Sequence, residues 1–281
     1  MASGSCVYVS PHLDDAVFSC GGLIHAQRQG GEKVAVLTLC AGSPVDPLSP
    51  LARQYHAAWS ESGDALARRR EENAAVLAAW GVAGTDGATP DAIYRGLCGA
   101  PFYAVRDELF REPDPLDAAL VLPAWEAEVR HLADDVGRAR VIFPLGVGRH
   151  VDHELARRLG ERMAEEGWPV WFYEDYPYAE LEPGGVRRAQ ERFVPRPWTS
   201  RTVPIDVRAK VEAARGYRTQ IGRVFGTEAA LARRVRTFTA ATAREGGLEE
   251  PFAGPPSRLL HRIWSSATGR RAHAERFWSR E

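Results

Sequence analysis

Apolar runs alternate with segments of helical periodicity along most of the chain. Residues 6–10 (CVYVS) and 33–42 (KVAVLTLCAG) are apolar and β-branched, which is typical of buried strands. From Asp15 onward, apolar residues recur at helical spacing until RQGG at 28–31. This strand, helix, strand order predicts a βαβ unit with a right-handed crossover, and therefore a parallel sheet.

The same alternation continues towards the C terminus. Further strands are predicted at 140–146 and 169–177. Helical patterns are found within five later segments: 65–81, 115–137, 146–167, 208–221 and 227–245. These elements predict an α/β fold with a mostly parallel sheet flanked by helices and a C-terminal elaboration.

Two segments lack a clear period. Residues 43–64 mix proline, serine and aromatic residues, and a segment of this length predicts a long loop facing the substrate. Residues 257–281 are rich in arginine and are predicted to form a solvated extension.

Composition and charge limit the partners and the cellular locations that the sequence predicts. The 281 residues carry 36 basic and 37 acidic side chains, so a net charge of −1 gives no reason to expect nucleic acid or a membrane surface as a partner. No apolar run approaches the roughly 18 to 20 residues of a membrane helix. The N terminus lacks a signal-peptide pattern, and the four cysteines form no CxxC pair. We expect a reduced, cytoplasmic protein, and a homo-oligomer is compatible with the sequence.

Two polar clusters directly follow predicted buried strands. His12 and Asp15 lie three residues apart, and His150 and His153 have the same spacing. In the first turn of a helix this spacing places both side chains on one face, and in a parallel sheet such groups gather at the carboxyl ends of the strands. The two pairs together predict a metal site of two histidines and one carboxylate, which suits Zn2+ or alternatively Fe2+ and leaves a position for water.

Neighbouring residues would complete a hydrolytic site. Asp14 would point away from Asp15 and reach the attacking water as a general base. A histidinium such as His150, or the metal itself, would stabilise negative charge on a carbonyl oxygen. Asp152 would orient a histidine ring from behind.

The motifs resemble those of the LmbE-related, PIG-L family of zinc-dependent N-deacetylases. The family's first motif, PHPDDE, corresponds to PHLDDA at 11–16, and its later HxDH motif corresponds to HVDH at 150–153. Weaker similarity is found at 68–81 and 210–220, so that the resemblance covers most of the chain. It implies a Rossmann-like sheet.

The resemblance also implies an activity and a domain organisation. Members of the family remove an N-acetyl, or a related N-acyl, group from a small molecule that contains an amino sugar. The expected organisation is a single deacetylase domain over 1–281, with a Rossmann-like core at 1–180 and C-terminal strands and helices at 181–281.

The resemblance assigns roles to individual residues as well. It implies three zinc ligands: His12, Asp15 and His153. Asp14 would be the base and His150 the electrostatic partner. The sequence departs from the first motif at Leu13 and Ala16. These departures spare the implied ligands and the base.

Three more residues are candidates for contact with the substrate. Arg69 lies on the helix expected near the pocket, with a solvated arginine as the alternative. Tyr173 and Asp175 follow a predicted strand towards the same rim, where aromatic faces are plausible walls for a sugar ring. Packing at the end of the strand is the alternative for these two.

Two other functions stay open. One is an amidase that acts on a thiol S-conjugate, as some members of the resembled family do. The other is a metal-stabilised carbohydrate-binding protein without turnover. Asp14 argues against the second, because a structural zinc site is normally closed by four protein ligands and needs no adjacent base. A dinucleotide binder is disfavoured, since SCGG at 19–22 lacks the G-x-G-x-x-G spacing.

Overall fold

A sheet of seven strands forms the centre of the protein. The computed structural model describes five stretches of chain: 4–44, 47–59, 65–192, 199–248 and 272–279. Within them the strands are β1 (Ser5–Ser10), β2 (Lys33–Thr38), β3 (Ala83–Asp86), β4 (Gly96–Leu97), β5 (Ala100–Pro101), β6 (Arg140–Pro144), β7 (Val170–Tyr173), β8 (Thr199–Pro204) and β9 (Ala274–Ser279).

Helices cover both faces of the sheet. In the described stretches they are α1 (Asp15–Gln29), α2 (Pro50–Trp59), α3 (Ala65–Ala79), α4 (Pro115–Asp135), α5 (Val151–Glu165), α6 (Tyr178–Leu181), α7 (Gly185–Glu191), α8 (Val207–Arg215), α9 (Arg218–Val224) and α10 (Glu228–Glu245). Two short 3-10 helices span Ala92–Tyr94 and Arg106–Phe110. None of the helices described here is both long and apolar enough to cross a membrane.

The order of the strands reverses beside β1. β4 and β5 form a separate hairpin, and the large sheet has the order β3-β2-β1-β6-β7-β9-β8. β3, β2, β1, β6 and β7 are parallel, whereas β9 runs antiparallel to both of its neighbours. β2 and β3 follow β1 on one side of it, and β6 then pairs with β1 on the other side. Ligands of open α/β sheets bind at such a reversal of strand order.

Alternate side chains of each central strand enter different apolar layers. In β1, Cys6 and Tyr8 pack in a cluster with residues of α1, α8 and α10, whereas Val7 and Val9 pack in a cluster with residues of α4 and α5. Because both faces are buried, these strands are continuous apolar runs in the sequence. The predicted α/β fold, with its mostly parallel sheet flanked by helices, is confirmed.

The long loop predicted over 43–64 contains a helix, so that prediction is wrong for α2. Pro50 occupies the first helical position, and the Ser49 hydroxyl accepts the Ala52 N–H at 3.0 Å. Leu51 and Ala52 are buried against residues of the first 3-10 helix. The apolar face of this short helix is buried, and the prolines and serines on either side of it conceal the helix in the sequence. Two short parts of the predicted loop lie outside the described residues: 45–46 and 60–64.

The predicted solvated tail is wrong for residues 274–279, which form β9 inside the sheet. Phe277 is buried, and both Arg276 Nε and Trp278 Nε1 contact Glu174 Oε1, at 2.6 Å and 3.0 Å. The preceding part of the predicted tail, 257–271, and its last two residues lie outside the described residues. The predicted helix over 208–221 is also divided into α8 and α9, because Tyr217 (ψ 62°) leaves the helical conformation.

A buried ion pair joins the C-terminal strand to α1. Lys210 Nζ lies 2.6 Å from Glu275 Oε1 and donates to the Ser19 carbonyl at 2.8 Å. The Glu275 carboxylate also accepts the backbone N–H groups of Gly22 and Leu23, at 2.9 Å each. Both charged side chains are buried. The pair therefore holds α1 against β9 through polar contacts that water cannot replace.

Replacing this lysine should weaken the fold far more than replacing a surface cation. We expect Lys210→Met to lower the free energy of unfolding by about 3 to 5 kcal/mol, because the Glu275 carboxylate would remain buried without its partner. Urea denaturation followed by circular dichroism measures the loss. The control is Arg187→Met, which removes an exposed pair with Glu191 and should cost less than about 1 kcal/mol. Equal losses would contradict this role of the buried pair.

Candidate metal centre

The two predicted polar motifs meet at the carboxyl ends of β1 and β6. His12 and Asp15 follow β1, and Asp15 is the first residue of α1. His150 caps the N terminus of α5, and His153 lies in the first turn of that helix. Because β1 and β6 are adjacent, the reversal of strand order brings together side chains that are about 140 positions apart, as the contact between His12 and Asp152 shows.

His12, Asp15 and His153 form a compact set of donor atoms. Asp15 Oδ2 lies 3.1 Å from His12 Nδ1 and 3.2 Å from His153 Nε2. One donor atom from each residue lies within 4.8 Å of the other two. Although Asp15 Oδ2 is close, the buried His153 Nε2 makes no hydrogen bond of suitable angle with any of the described residues. A metal cation would satisfy this nitrogen, and two imidazoles with one carboxylate suit a divalent transition metal.

In His12 and in His153, the ring nitrogen that faces away from Asp15 contacts a buried carboxylate. His12 Nε2 lies 3.0 Å from Asp152 Oδ2, and His153 Nδ1 lies 2.7 Å from Asp175 Oδ1. Such a contact fixes the tautomer and the orientation of a metal-binding imidazole. It leaves the opposite nitrogen of each ring facing Asp15.

A second set of three potential ligands shares His12 with the first. Donor atoms of His12, His150 and Asp152 also lie within 4.8 Å of one another. However, Asp152 Oδ1 lies 2.6 Å from Arg95 Nη2, and its Oδ2 accepts the Ala92 N–H at 3.2 Å. Burial alone would raise the pKa of Asp152, but the Arg95 guanidinium and His12 hold it well below its usual range. This guanidinium would repel a cation, so the first set is the better metal site.

The electrostatic field of the first set favours positive charge. Burial alone would lower the pKa of His153, but Asp15 and Asp175 raise it to about 9. In the same way, carboxylates led by Asp91 overcome burial and raise the pKa of His12 well above its usual value. The pKa of Asp15 lies well below its ordinary value despite burial, because His153 and His12 stabilise its charge. A metal ion that displaces the ring protons experiences the same attraction.

Asp14 lies beside this set without belonging to it. It occupies the N-cap position of α1, yet its side chain makes no capping hydrogen bond. Its Oδ1 lies 3.6 Å from Arg69 Nη2, and both side chains are buried. Burial raises the pKa of Asp14, the Arg69 charge opposes the increase, and Asp15 adds to it. A buried carboxylate with a raised pKa is a stronger proton acceptor than one in water.

The surroundings of His150 favour a neutral ring that can donate a hydrogen bond. Burial, followed by the charge of His12, lowers the pKa of His150 well below its usual value. Its Nδ1 accepts the Asp152 backbone N–H at 3.3 Å, so the neutral ring carries its proton on Nε2. The ring packs edge-on against Phe110, with 5.4 Å between ring centroids. This environment favours a neutral imidazole over the histidinium expected from the sequence.

The three residues predicted to contact the substrate lie deeper than expected. Tyr173 is 1% exposed, and its hydroxyl donates to the Val9 carbonyl at 3.0 Å. Asp175 is equally buried and accepts the Val147 N–H besides contacting His153. Burial argues against substrate contact for both, and the geometry of Asp175 instead fits the support of a histidine. Arg69, also buried, faces Asp14.

Residues that the sequence did not single out complete the surroundings of the centre. Asp91 Oδ2 lies 3.6 Å from His12 Nε2, and Arg95 holds Asp152. The Tyr178 ring packs edge-on against His153, in space that Gly148 leaves open: a Cβ at Gly148 (φ 86°) would collide with that ring. Asp91 and Arg95 flank a 3-10 helix, where no periodic pattern marks them.

The two departures from the family motif are packed within the protein. Leu13 is buried against Ala41 and Leu66, and Ala16 lies in the apolar layer that includes α1. The Ala16 N–H donates to the Ser10 hydroxyl at 3.0 Å. In this chain a carboxylate at position 16 would be placed in an apolar cluster.

A His, Asp, His set at the reversal of strand order of an α/β sheet, with a further carboxylate beside it, is the arrangement expected of a metal-dependent hydrolase. The comparison with protein families agrees: the profile of PIG-L, GlcNAc-PI de-N-acetylase, matches residues 7–164, more than half of the chain. The chain therefore belongs to the PIG-L family and is an enzyme of the deacetylase class.

The similar proteins are named as deacetylases. The chain is 32% identical over 240 residues to 2'-N-acetylparomamine deacetylase of Niallia circulans, covering 79% of this chain and 83% of the relative. It is 33% identical over 179 residues to the Streptomyces fradiae enzyme of the same name, covering 63% of this chain and 58% of that relative. The zinc-inhibited form of teicoplanin deacetylase has a TM-score of 0.76 at 25% identity, covering 98% of this chain and 97% of the other.

The geometry predicts that a divalent metal stabilises the folded protein through Asp15. After removal of bound metal with a chelator, added Co2+ should raise the unfolding temperature, because an ion that binds only the folded state adds about 2.7 kcal/mol at 100 times its Kd. Asp15→Asn should abolish the shift. The matched control Asp14→Asn, at the adjacent position, should keep it. Equal shifts in the two variants, measured by scanning calorimetry, would contradict this assignment.

Proposed function

We propose that this protein is a zinc-dependent hydrolase that removes the N-acetyl group from an amino sugar of a small molecule, with an N-acetylated aminoglycoside precursor as the first candidate. The observation that carries the proposal is Asp14, a buried carboxylate next to a His, Asp, His set. The names of the relatives supply the substrate class. A cytoplasmic location, the division of the chain at residue 180 and the absence of nucleic acid or membrane partners stay predictions from the sequence.

The metal would be held by three residues: His12, Asp15 and His153. When bound, zinc lowers the pKa of water to about 7 and polarises a carbonyl oxygen. Asp152 and Asp175 keep the two imidazoles oriented through their other nitrogens. The remaining steps fall to side chains that do not bind the metal.

Asp14 is proposed to move the proton. Its carboxylate accepts a proton as the water oxygen bonds to the amide carbon. When the carbon–nitrogen bond breaks, the same carboxyl group returns the proton to the departing nitrogen, and the products are acetate and a free amine. Arg69, 3.6 Å away, would hold the carboxylate in place.

His150 is proposed to stabilise the transition state. As a neutral imidazole with Nδ1 engaged by the Asp152 N–H, it presents Nε2–H as a donor. A donor directed at a carbonyl oxygen that gains negative charge contributes roughly 3 to 4 kcal/mol. Burial keeps the ring fixed before the substrate arrives, so little reorganisation is needed.

Removal of the proposed base should separate catalysis from metal binding. We expect Asp14→Asn to lower kcat for acetate release by about 100- to 10 000-fold, because an amide cannot accept the proton. Metal content, measured by elemental analysis on the same sample, should equal that of the wild type. Wild-type turnover in Asp14→Asn would exclude this residue as the base.

A substrate panel distinguishes the proposed function from its alternatives. The panel contains 2'-N-acetylparomamine, N-acetylglucosamine and an N-acetylcysteine S-conjugate, each assayed for acetate. We expect the largest kcat/KM for an acetamido sugar, because the relatives are named for such substrates. A larger value for the S-conjugate would favour the amidase. No acetate from any compound, together with sugar binding that Asp14→Asn leaves unchanged, would favour a carbohydrate-binding protein.

A further inference from the structure

Arg95 connects the metal centre to the N terminus of α4. Its Nε and Nη2 donate to the two carboxylate oxygens of Asp117, each at 2.7 Å, and Nη2 also lies 2.6 Å from Asp152 Oδ1. Nη1 donates to the Pro90 carbonyl at 3.1 Å. Arg95 is 6% exposed and both aspartates are fully buried. One guanidinium thus compensates two carboxylates that water does not reach.

Asp117 is fixed from the other side as well. Its Oδ2 accepts the Tyr103 hydroxyl at 2.8 Å, and Trp125 of α4 packs beneath the guanidinium, with 5.9 Å from Arg95 Cζ to the ring centroid. The same tyrosine hydroxyl accepts the Asp114 N–H at 3.1 Å. Arg95 therefore contacts Asp152 from a rigid support, which α4 provides outside the metal centre.

We propose that Arg95 is a positioning residue for the metal centre, acting through Asp152 on His12. The inference rests on the metal site of the proposed function. Asp152 uses Oδ1 towards Arg95 and Oδ2 towards the Ala92 N–H and His12 Nε2. The guanidinium holds this carboxylate in an orientation in which Oδ2 lies 3.0 Å from His12 Nε2. The other ring nitrogen, His12 Nδ1, then faces Asp15.

The fork of an arginine is needed for this arrangement. A lysine ammonium is a compact charge that cannot donate two parallel hydrogen bonds to Asp117 while contacting Asp152. Without Arg95, the His12 ring would lose its fixed tautomer, and the affinity for metal would fall. Groups that orient a metal ligand typically change metal affinity by about 10- to 100-fold when they are replaced.

The test is a titration with Co2+, followed by visible absorption, which reports both affinity and coordination geometry without substrate. The comparison is made in an Asp117→Asn background, so that removing Arg95 does not leave a charged Asp117 unpaired. We expect Asp117→Asn alone to bind Co2+ only slightly more weakly than the wild type, because Arg95 keeps its contacts with Asp152 and the Pro90 carbonyl. Relative to this background, Arg95→Met/Asp117→Asn should bind at least about tenfold more weakly with an altered spectrum. The Co2+ affinity of Arg95→Lys, which retains the charge, should lie between the affinities of these two variants. Arg95→Lys replaces the double variant in the comparison if the double variant does not fold.

The matched control is Arg157→Met. Arg157 is a buried arginine of α5, the helix that carries Asp152, and it pairs with Glu154 and Glu161 at 2.5 Å each. This variant should lose stability without loss of Co2+ affinity. Unchanged affinity and spectrum in the Arg95 variants, or equal losses in Arg157→Met, would overturn the positioning role. Absence of Co2+ binding in the wild type would instead overturn the proposed metal centre.

Discussion

Two buried carboxylates determine which nitrogen of each histidine faces Asp15. Asp152 contacts Nε2 of His12 and Asp175 contacts Nδ1 of His153, so the opposite nitrogens converge on one carboxylate oxygen. An imidazole free to rotate or to change tautomer would present a protonated nitrogen part of the time, and a metal would have to compete with that proton. The chemistry proposed for the site therefore depends on groups outside the proposed set of metal ligands.

The fold is arranged to supply these supports. β1 leads to His12, α5 begins with the residues that follow β6, and Asp175 lies just beyond β7, so the order β1-β6-β7 brings all of them to one edge of the sheet. β9 lies between β7 and β8 in the sheet, and its Arg276 and Trp278 contact Glu174, the neighbour of Asp175. The C-terminal strand thus stabilises the strand end that carries a support of the metal centre, although it contributes no side chain to the centre itself.

The local signals in the sequence were sufficient for the fold class and for the two motifs. Strands buried on both faces are continuous apolar runs, and the position of His12 and His153 after such runs indicated that they would meet. The supports were harder to predict. The sequence does not show whether a residue that follows a strand points towards the substrate or towards the protein interior. Asp175, predicted to contact the substrate, points towards His153 and the Val147 N–H. Arg95 could not be found, since its partners, Asp117 and Asp152, are distant in sequence. β9 was missed because arginines on both sides conceal the apolar positions of a short strand.

Titration of metal-stripped protein with Zn2+, with acetate release from 2'-N-acetylparomamine as the readout, tests most directly whether this site is a metal-dependent deacetylase. Activity should be absent without metal and should rise to its maximum at one Zn2+ per chain, because one His, Asp, His set would hold one ion. Full activity in the metal-stripped protein, or no acetate at any ratio of Zn2+ to protein, would contradict it.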